Sequence, residues 1–149
     1  MRIALQTHVE KSLPKVKEGF NESLFKRLSP PFPPVKILRF DGSRTGDLVS
    51  LELNFLLFKQ IWTSKITEDE SKESEFYFID EGIELPFFLK KWRHKHRIIQ
   101  SETGTLIRDE IDFEAPFSLM TLLLYPALLL QFLYRKPIYR KIFKEGQDN

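Results

Sequence analysis

The sequence contains no cysteine among its 149 residues. That absence excludes a disulfide framework, a thiolate metal site and a cysteine nucleophile. Glycine is scarce as well, and the six glycines, at positions 19, 42, 46, 82, 104 and 146, form neither a phosphate-binding loop nor a dinucleotide fingerprint. We therefore predict no cofactor. Because nothing in the composition requires an oxidising compartment, we expect a cytoplasmic protein.

A strong excess of one charge is also missing. The chain has 23 basic and 21 acidic residues, and the basic residues do not form one tract with interleaved aromatics. Nucleic acid is therefore not an expected partner. The first nine residues alternate in polarity and lack the continuous apolar core of a signal peptide. With 42% hydrophobic residues, positions 1–149 suffice for one globular domain with a core of its own.

The segment from Trp92 to Phe113 has the clearest pattern of the chain. Apolar and polar residues alternate on both sides of a Ser101-Glu102-Thr103-Gly104 turn, which predicts a β-hairpin. Pairing Gln100 with Thr105 gives the hairpin one mainly apolar face and one charged face. The pairs on the mainly apolar face are then Ile98 with Ile107, His96 with Asp109, His94 with Ile111, and Trp92 with Phe113.

Two histidines and an aspartate on that face need partners or a cavity, because unpaired buried polar groups are costly. One interpretation is a buried polar cluster in which Asp109 accepts a hydrogen bond from His96. A second is the polar floor of an apolar pocket, which would orient a hydroxyl or carboxylate of a ligand. A third is acid–base chemistry by a His–Asp pair. A metal site is the weakest interpretation, since two histidines and one acid on a hairpin lack a further ligand in view.

The remaining patterns predict a mixture of strands and helices. Apolar residues at strand spacing predict a first strand over residues 3–9, and helical spacing predicts one helix over residues 12–28. Further strands are predicted at residues 35–40, 49–57, 61–66 and 76–79. The acidic run from Glu68 to Glu75 is expected to be a solvated loop, because like charges repel.

The most apolar segment, residues 117–133, raises the question of a membrane span. Such a span needs about 20 apolar residues, and Arg135 and Lys136 would suit its cytoplasmic flank. Pro126, Gln131 and an apolar stripe that continues to Phe143 favour a long helix packed on a sheet instead. Because its apolar residues nearly surround the helix, we expect a second cover: first the loop at residues 86–88, then a second copy of the chain, then a lipid surface. The chain is thus expected to be a monomer or a homodimer, with a membrane surface as a less favoured partner.

The order of strand, helix, about six antiparallel strands and long helix describes an α+β helix-grip fold, in which a curved antiparallel sheet wraps around a long C-terminal helix. Several segments carry a more specific likeness: Leu28-Ser29-Pro30-Pro31-Phe32, Pro86-Phe87, Trp92-x-His94-x-His96, Gly104-Thr105-x-Ile107-x-Asp109-x-Ile111 and Tyr134-Arg135. They resemble the SRPBCC ligand-binding proteins of the START-like, birch-pollen-allergen superfamily, and within it the branch labelled cell-division-inhibitor-like. The likeness extends from Thr7 to Phe143.

The resemblance implies a cavity between the sheet and the C-terminal helix, in a superfamily of carriers, cyclases and hydrolase-like sensors. It implies no particular activity, since a fold does not fix a function. We predict that the chain binds a hydrophobic small molecule or lipid-like ligand. The residues expected at the ligand are Leu51, Leu53, Phe55, Phe78, Phe87, Trp92, His94, His96, Asp109 and Ile111.

Two rival hypotheses remain open. The first is an enzyme of the cyclase or dehydratase type that uses His94, His96 and Asp109. The second is a membrane-surface or partner-binding protein whose apolar last helix makes the contact.

Overall fold

A computed structural model describes residues 1–146 of the chain. The elements, in chain order, are β1 (Arg2–Val9), α1 (Leu13–Gly19), α2 (Glu22–Arg27), β2 (Val35–Phe40), β3 (Leu48–Asn54), β4 (Lys59–Ser71), β5 (Glu75–Glu84), β6 (Lys91–Ser101), β7 (Gly104–Glu114) and α3 (Ser118–Ile142). The last helix lies within one residue of the predicted segment at each end.

Within residues 1–146, seven strands form one antiparallel sheet in the order β1-β7-β6-β5-β4-β3-β2. β6 and β7 pair in the predicted register, with Gln100 opposite Thr105 and His96 opposite Asp109. Register shifts in β4, the second of them just after Ile66, mark bulges that bend this strand. The sheet and the long last helix together confirm the predicted α+β helix-grip architecture.

The core has two parts, which meet along α3. Near the C-terminal end of α3, buried side chains join this helix to α1, α2 and the sheet: Val16, Leu24, Ile107, Tyr139 and Phe143. Near its middle, a second set joins it to β1, β6 and β7: Ile3, Trp92, Ile111, Leu128 and Phe132. The polar side chains on the inner face of the sheet lie between these two parts.

The single helix predicted over residues 12–28 is wrong, because the structure has two short helices there. α1 ends at Gly19, and Asn21 begins α2 by accepting a hydrogen bond from the Leu24 amide at 3.1 Å. The break lets the end of α1 approach α3 closely. A Cβ atom on Gly19 would lie 2.4 Å from Cε1 of Phe143. Apolar spacing alone could not show a break at which Gly19 packs against the far end of the chain.

The solvated loop predicted for Glu68–Glu75 is also wrong. β4 continues to Ser71 and β5 begins at Glu75, so only residues 72–74 connect them. Alternation separates the acids, and several find donors: the Tyr77 hydroxyl donates to Glu68 and Glu70, and Asp69 accepts from the Thr45 amide at 2.7 Å. These contacts offset the like-charge repulsion on which the prediction rested.

The strand predicted over residues 49–57 ends earlier, at Asn54. A tight turn follows, in which the Phe55 amide donates to the Phe58 carbonyl at 2.9 Å and Leu56 has a φ of 71°. The apolar tip of this hairpin therefore lies outside the sheet ladder, and Leu57 is 95% exposed.

Candidate functional site

A cavity of about 600 Å³ lies between the inner face of the sheet and α3. Alternation along β3 places Val49, Leu51 and Leu53 on the cavity side, while their neighbours in sequence face away. The proline-rich segment before β2 lines the cavity with residues 30–33. Side chains from the other walls are Phe78, Trp62 and Trp92 from the sheet and Leu124, Leu128 and Phe132 from α3. The lining is therefore largely aliphatic and aromatic.

The titratable groups of the lining come from three elements. β5 contributes Asp80, β6 contributes His94 and His96, and the C-terminal half of α3 contributes Tyr134, Arg135 and Tyr139. Asp80 lies directly opposite His94 in the β5–β6 ladder, so strand pairing holds these side chains together. Aromatic rings enclose the histidines: the His96 and Phe78 ring centroids are 4.3 Å apart, and those of His94 and Phe132 are 5.1 Å apart.

Each histidine pairs with a different carboxylate. Nε2 of His94 is 2.8 Å from Oδ1 of Asp109, and Nε2 of His96 is 2.9 Å from Oδ2 of Asp80. The predicted hydrogen bond from His96 to Asp109 is wrong, since Nδ1 of His96 is 3.6 Å from Oδ1 of Asp109. Asp109 instead pairs with His94 and does not itself line the cavity. The other oxygen of Asp80, Oδ1, accepts from the indole N–H of Trp92 at 3.0 Å.

The surroundings shift several pKa values within this cluster. Burial would raise the pKa of Asp80 and of Asp109, but the hydrogen bonds from His96 and His94 and the charges of the imidazoles hold both below the ordinary value. Burial, followed by the charge of His96, lowers the pKa of His94 to about 4. The cluster therefore presents two carboxylates and a neutral His94 ring at pH 7.

Arg135 and Tyr139 complete the polar lining from α3. The guanidinium carbon of Arg135 lies 4.3 Å from the centre of the Phe132 ring, and among residues 1–146 the Nε atom has no hydrogen-bond partner. The hydroxyl of Tyr139 likewise has no partner of good hydrogen-bond geometry, although it lies beside the Arg135 side chain. Burial, and then the charge of Asp109, raise the pKa of Tyr139 far above its usual value, so the hydroxyl keeps its proton and can donate.

The predicted ligand residues fall into two groups. Seven line the cavity: Leu51, Leu53, Phe55, Phe78, Trp92, His94 and His96. The other three do not. Asp109 is buried and hydrogen-bonded to His94, Ile111 is fully buried in the core, and Phe87 is 62% exposed on the loop between β5 and β6.

Sequence reasoning missed Asp80, Arg135 and Tyr139 as residues of this site. Asp80 follows Phe78 by two positions, so strand alternation was a signal that it shares the cavity face. Arg135 and Tyr139 follow Phe132 by three and seven positions, which is helical spacing, but the same spacing fits any helix face. Only the rotation of α3 about its axis decides that these two side chains line the same cavity as the histidines.

Three residues of the cluster could hold a metal ion. Asp80, His94 and His96 each offer one ligand atom, and these atoms lie within 4.8 Å of one another. Asp80, on β5, is thus the further ligand that the sequence analysis did not identify. A larger depression of about 840 Å³, beside α1 and the end of α3, contains none of the predicted site residues.

The outer face of α3, formed by Leu119, Leu122, Leu123 and Leu130, is exposed. By length and composition α3 is a candidate membrane span, and 22% of its most apolar stretch is buried. The expectation that the loop at residues 86–88 covers this face is wrong. Phe88 packs into the core beside Trp92, and Phe87 stays exposed.

Comparisons with family models and with curated proteins find no match. Solved structures do match over most of the chain. Protein Ms6760 from Mycobacterium smegmatis has a TM-score of 0.71 at 12% identity, covering 99% of this chain and 93% of its own. Norcoclaurine synthase from Thalictrum flavum has a TM-score of 0.68 at 11% identity, covering 100% and 89%.

A third similar structure is a START superfamily protein from Mycobacterium smegmatis, with a TM-score of 0.66 at 11% identity over 95% of this chain and 98% of that one. The Zhui aromatase/cyclase from Streptomyces sp. R1128 has a TM-score of 0.65 at 14% identity, covering 92% and 89%. At such low identity a structural match establishes the fold and not the activity. The chain therefore shares the helix-grip fold of these structures.

Proposed function

We propose that this chain binds an apolar small molecule in the cavity between the sheet and α3. The observation that carries the proposal is the lining, in which apolar and aromatic walls surround a few convergent polar groups. Sites for drug-sized ligands have this composition and volumes of about 300 to 1,000 Å³. The cavity, at about 600 Å³, lies within that range.

The ligand is expected to carry at least one oxygen atom. Nε of Arg135 and the hydroxyl of Tyr139 are buried donors without a partner among residues 1–146. Leaving buried donors unpaired costs free energy, and an oxygen acceptor on the ligand would remove that cost. A purely hydrocarbon ligand would leave it in place.

The experiment is a binding titration with the neutral apolar fluorophore N-phenyl-1-naphthylamine, excited directly. Leu51→Trp places bulk inside the cavity, and Leu57→Trp places the same bulk on the exposed hairpin tip. We expect Leu51→Trp to weaken binding by at least about tenfold, since filling a pocket removes its contacts, and Leu57→Trp to leave it unchanged. Equal binding by all three proteins, with circular dichroism showing intact folding, would contradict the proposal. Native mass spectrometry of protein from its own host, followed by organic extraction, identifies the natural ligand.

An enzyme of the cyclase or dehydratase type is the second candidate. The supporting observation is the 2.8 Å hydrogen bond between His94 and Asp109, a pair suited to proton transfer at the cavity wall. Two proteins with the same fold are named as an aromatase/cyclase and as norcoclaurine synthase. The test compares the molecules recovered from wild type and from Asp109→Asn. A difference of one water or one ring closure would favour an enzyme, and identical molecules would favour a carrier.

A further inference from the structure

We propose that Asp80, His94 and His96 form a binding site for a divalent transition-metal ion in the wall of the cavity. This site goes beyond the binding of an apolar molecule and does not depend on it.

The ligand atoms have the spacing that a metal ion requires. Oδ2 of Asp80 is 2.9 Å from Nε2 of His96 and 3.5 Å from Nδ1 of His94. Two ligands that bind one ion at about 2.0 to 2.1 Å lie about 2.8 to 3.0 Å apart in octahedral geometry and about 3.3 to 3.4 Å apart in tetrahedral geometry. Oδ2 of Asp80 thus has this spacing to both imidazoles, whereas the two imidazole rings, whose centroids are 3.5 Å apart, must move apart for both to bind one ion.

The groups around these three residues support metal ligation. A histidine ligand usually donates its other ring N–H to a carboxylate, which fixes the ring and raises its basicity. His94 does so, because its Nε2 points to Asp109 and leaves Nδ1 for the ion. Asp80 is held in the same way, since the Trp92 indole donates to Oδ1 and leaves Oδ2 for the ion.

Two ring nitrogens of the cluster are available to a cation. Nδ1 of His94 lies 3.5 Å from Oδ2 of Asp80. His96 donates from Nε2 to Asp80, and its buried Nδ1 has no partner among residues 1–146. A proton can be shared by two of the three atoms Nδ1 of His94, Oδ2 of Asp80 and Nε2 of His96. A metal ion can bind all three.

Metal binding gives both ring nitrogens a partner in one step. The ion replaces the proton between Nε2 of His96 and Asp80, and that proton moves to Nδ1 of the same ring. Nδ1 then faces Oδ1 of Asp109, which is 3.6 Å away and accepts the new N–H after a small movement. Asp109 thereby orients both imidazoles.

The donor set indicates the class of ion. Imidazole nitrogen and carboxylate oxygen, with no thiolate, suit Zn²⁺, Fe²⁺, Co²⁺ or Ni²⁺ rather than a copper(I) or calcium site. Three protein ligands leave at least one coordination position open, the arrangement of sites that bind water or substrate. Because the cluster lines the cavity, that position faces the space offered to a ligand.

The experiment is a calorimetric titration of the tag-free full chain with Zn²⁺ after treatment with EDTA. We expect one equivalent to bind. Asp80→Asn, His94→Gln and His96→Gln should each weaken binding by about 100-fold or more, and Asp109→Asn by about 10- to 100-fold because it acts through the ligands. The matched control is His8→Gln, since His8 is the third histidine of the chain and lies exposed beside Thr103. It should bind like wild type.

Three results would overturn the proposal: no binding by folded wild type, binding that persists in all three ligand variants, or binding that His8→Gln removes. A measurement on wild type alone covers the case in which a ligand variant fails to fold. X-ray absorption of the Zn²⁺-loaded protein should show two imidazole ligands, and a spectrum without imidazole scattering would reject the site. Loss of Zn²⁺ binding with unchanged N-phenyl-1-naphthylamine binding would leave the proposed function intact.

Discussion

At the scale of single residues, Asp109 has the role with the clearest energetic consequence. It is buried, and its charge is matched by the hydrogen bond from His94. In EDTA-treated protein, Asp109→Asn should lower the free energy of unfolding by about 1 to 3 kcal/mol, because a charge-assisted buried hydrogen bond becomes a weaker neutral one. Urea unfolding measures this change.

The control for Asp109 is Asp112→Asn, three positions along the same strand on the opposite face. Asp112 makes a 3.9 Å contact with Arg93 near the surface, and such pairs contribute about 0 to 1 kcal/mol. Equal losses for the two variants would mean that the His94 pair adds nothing to the fold.

Glu75 offers a pH-dependent test at the same scale. The hydrogen bond from Arg97 lowers the pKa of Glu75, and the positive charge of Arg97 lowers it further, while burial opposes both effects. The pKa of Glu75 therefore lies below its ordinary value of 4.5. A lowered pKa in the folded state means that the contribution to stability is complete above the unfolded-state pKa and is lost as the pH falls through the folded-state pKa. The difference in stability between wild type and Glu75→Gln should therefore be constant near neutral pH and shrink below about pH 4.5.

Thermal unfolding across a pH series measures that difference, with the exposed loop variant Glu73→Gln as control. A stability difference for Glu75→Gln that grows as the pH falls would contradict the assigned direction of the shift.

At the scale of elements, the turn between β6 and β7 depends on close contact with β1. Gly104 has a φ of 142°, and a Cβ atom there would lie 2.1 Å from the Val9 carbonyl oxygen. Gly46 also has a positive φ, 97°, but a Cβ atom there would meet nothing within 4 Å. Alanine substitutions at the two positions therefore distinguish the cost of a strained backbone, present at both, from the cost of a steric clash, present only at Gly104.

Gly46→Ala should cost about 1 to 2 kcal/mol of stability, the price of a left-handed residue with a side chain. Gly104→Ala should cost clearly more, because the backbone of β1 must also move. Chemical denaturation of both variants gives the comparison. A Gly104→Ala protein as stable as Gly46→Ala would show that β1 can shift freely.

The success of sequence reasoning also differs from element to element. The β6–β7 register followed from alternation, because a slip by one residue would bury the charges of Arg93 and Lys95. Gly19 packs against Phe143 where α1 ends, and Glu68 and Asp69 of β4 find partners in Tyr77 and Thr45. Both require contacts between distant parts of the chain, which local spacing does not contain.

The same difference between local patterns and distant contacts applies to the residues of the candidate site. His94 and His96 were found because they lie on one strand face with Trp92. Arg135 was not, because no local pattern fixes which side of α3 meets the sheet. Asp80 is an intermediate case. Its spacing from Phe78 in the sequence indicated the cavity face, but the β5–β6 register that places it opposite His94 could not be predicted.

At the scale of the whole molecule, the outer face of α3 makes self-association the expected behaviour. Four leucines are exposed there, and exposed apolar patches commonly mark interfaces. In detergent-free buffer, size-exclusion chromatography with light scattering should show a concentration-dependent dimer. Leu122→Glu should shift it towards monomer, because a charge placed in an apolar interface is costly.

The control for self-association is Leu57→Glu, on the hairpin tip. A wild-type protein that stays monomeric and floats with liposomes would reassign the surface to lipid, and a monomer that stays off liposomes would leave the face without a partner.

The contact between the two tryptophans of the chain makes the protein its own optical sensor. Trp62 and Trp92 are its only indoles, their ring centroids are 4.7 Å apart, and both line the cavity. The Trp92 N–H is also bonded to the carboxylate offered to a metal. All intrinsic tryptophan emission therefore originates at the cavity wall. Zn²⁺ and an apolar ligand should each change this emission without any label, and Asp80→Asn should remove the response to Zn²⁺.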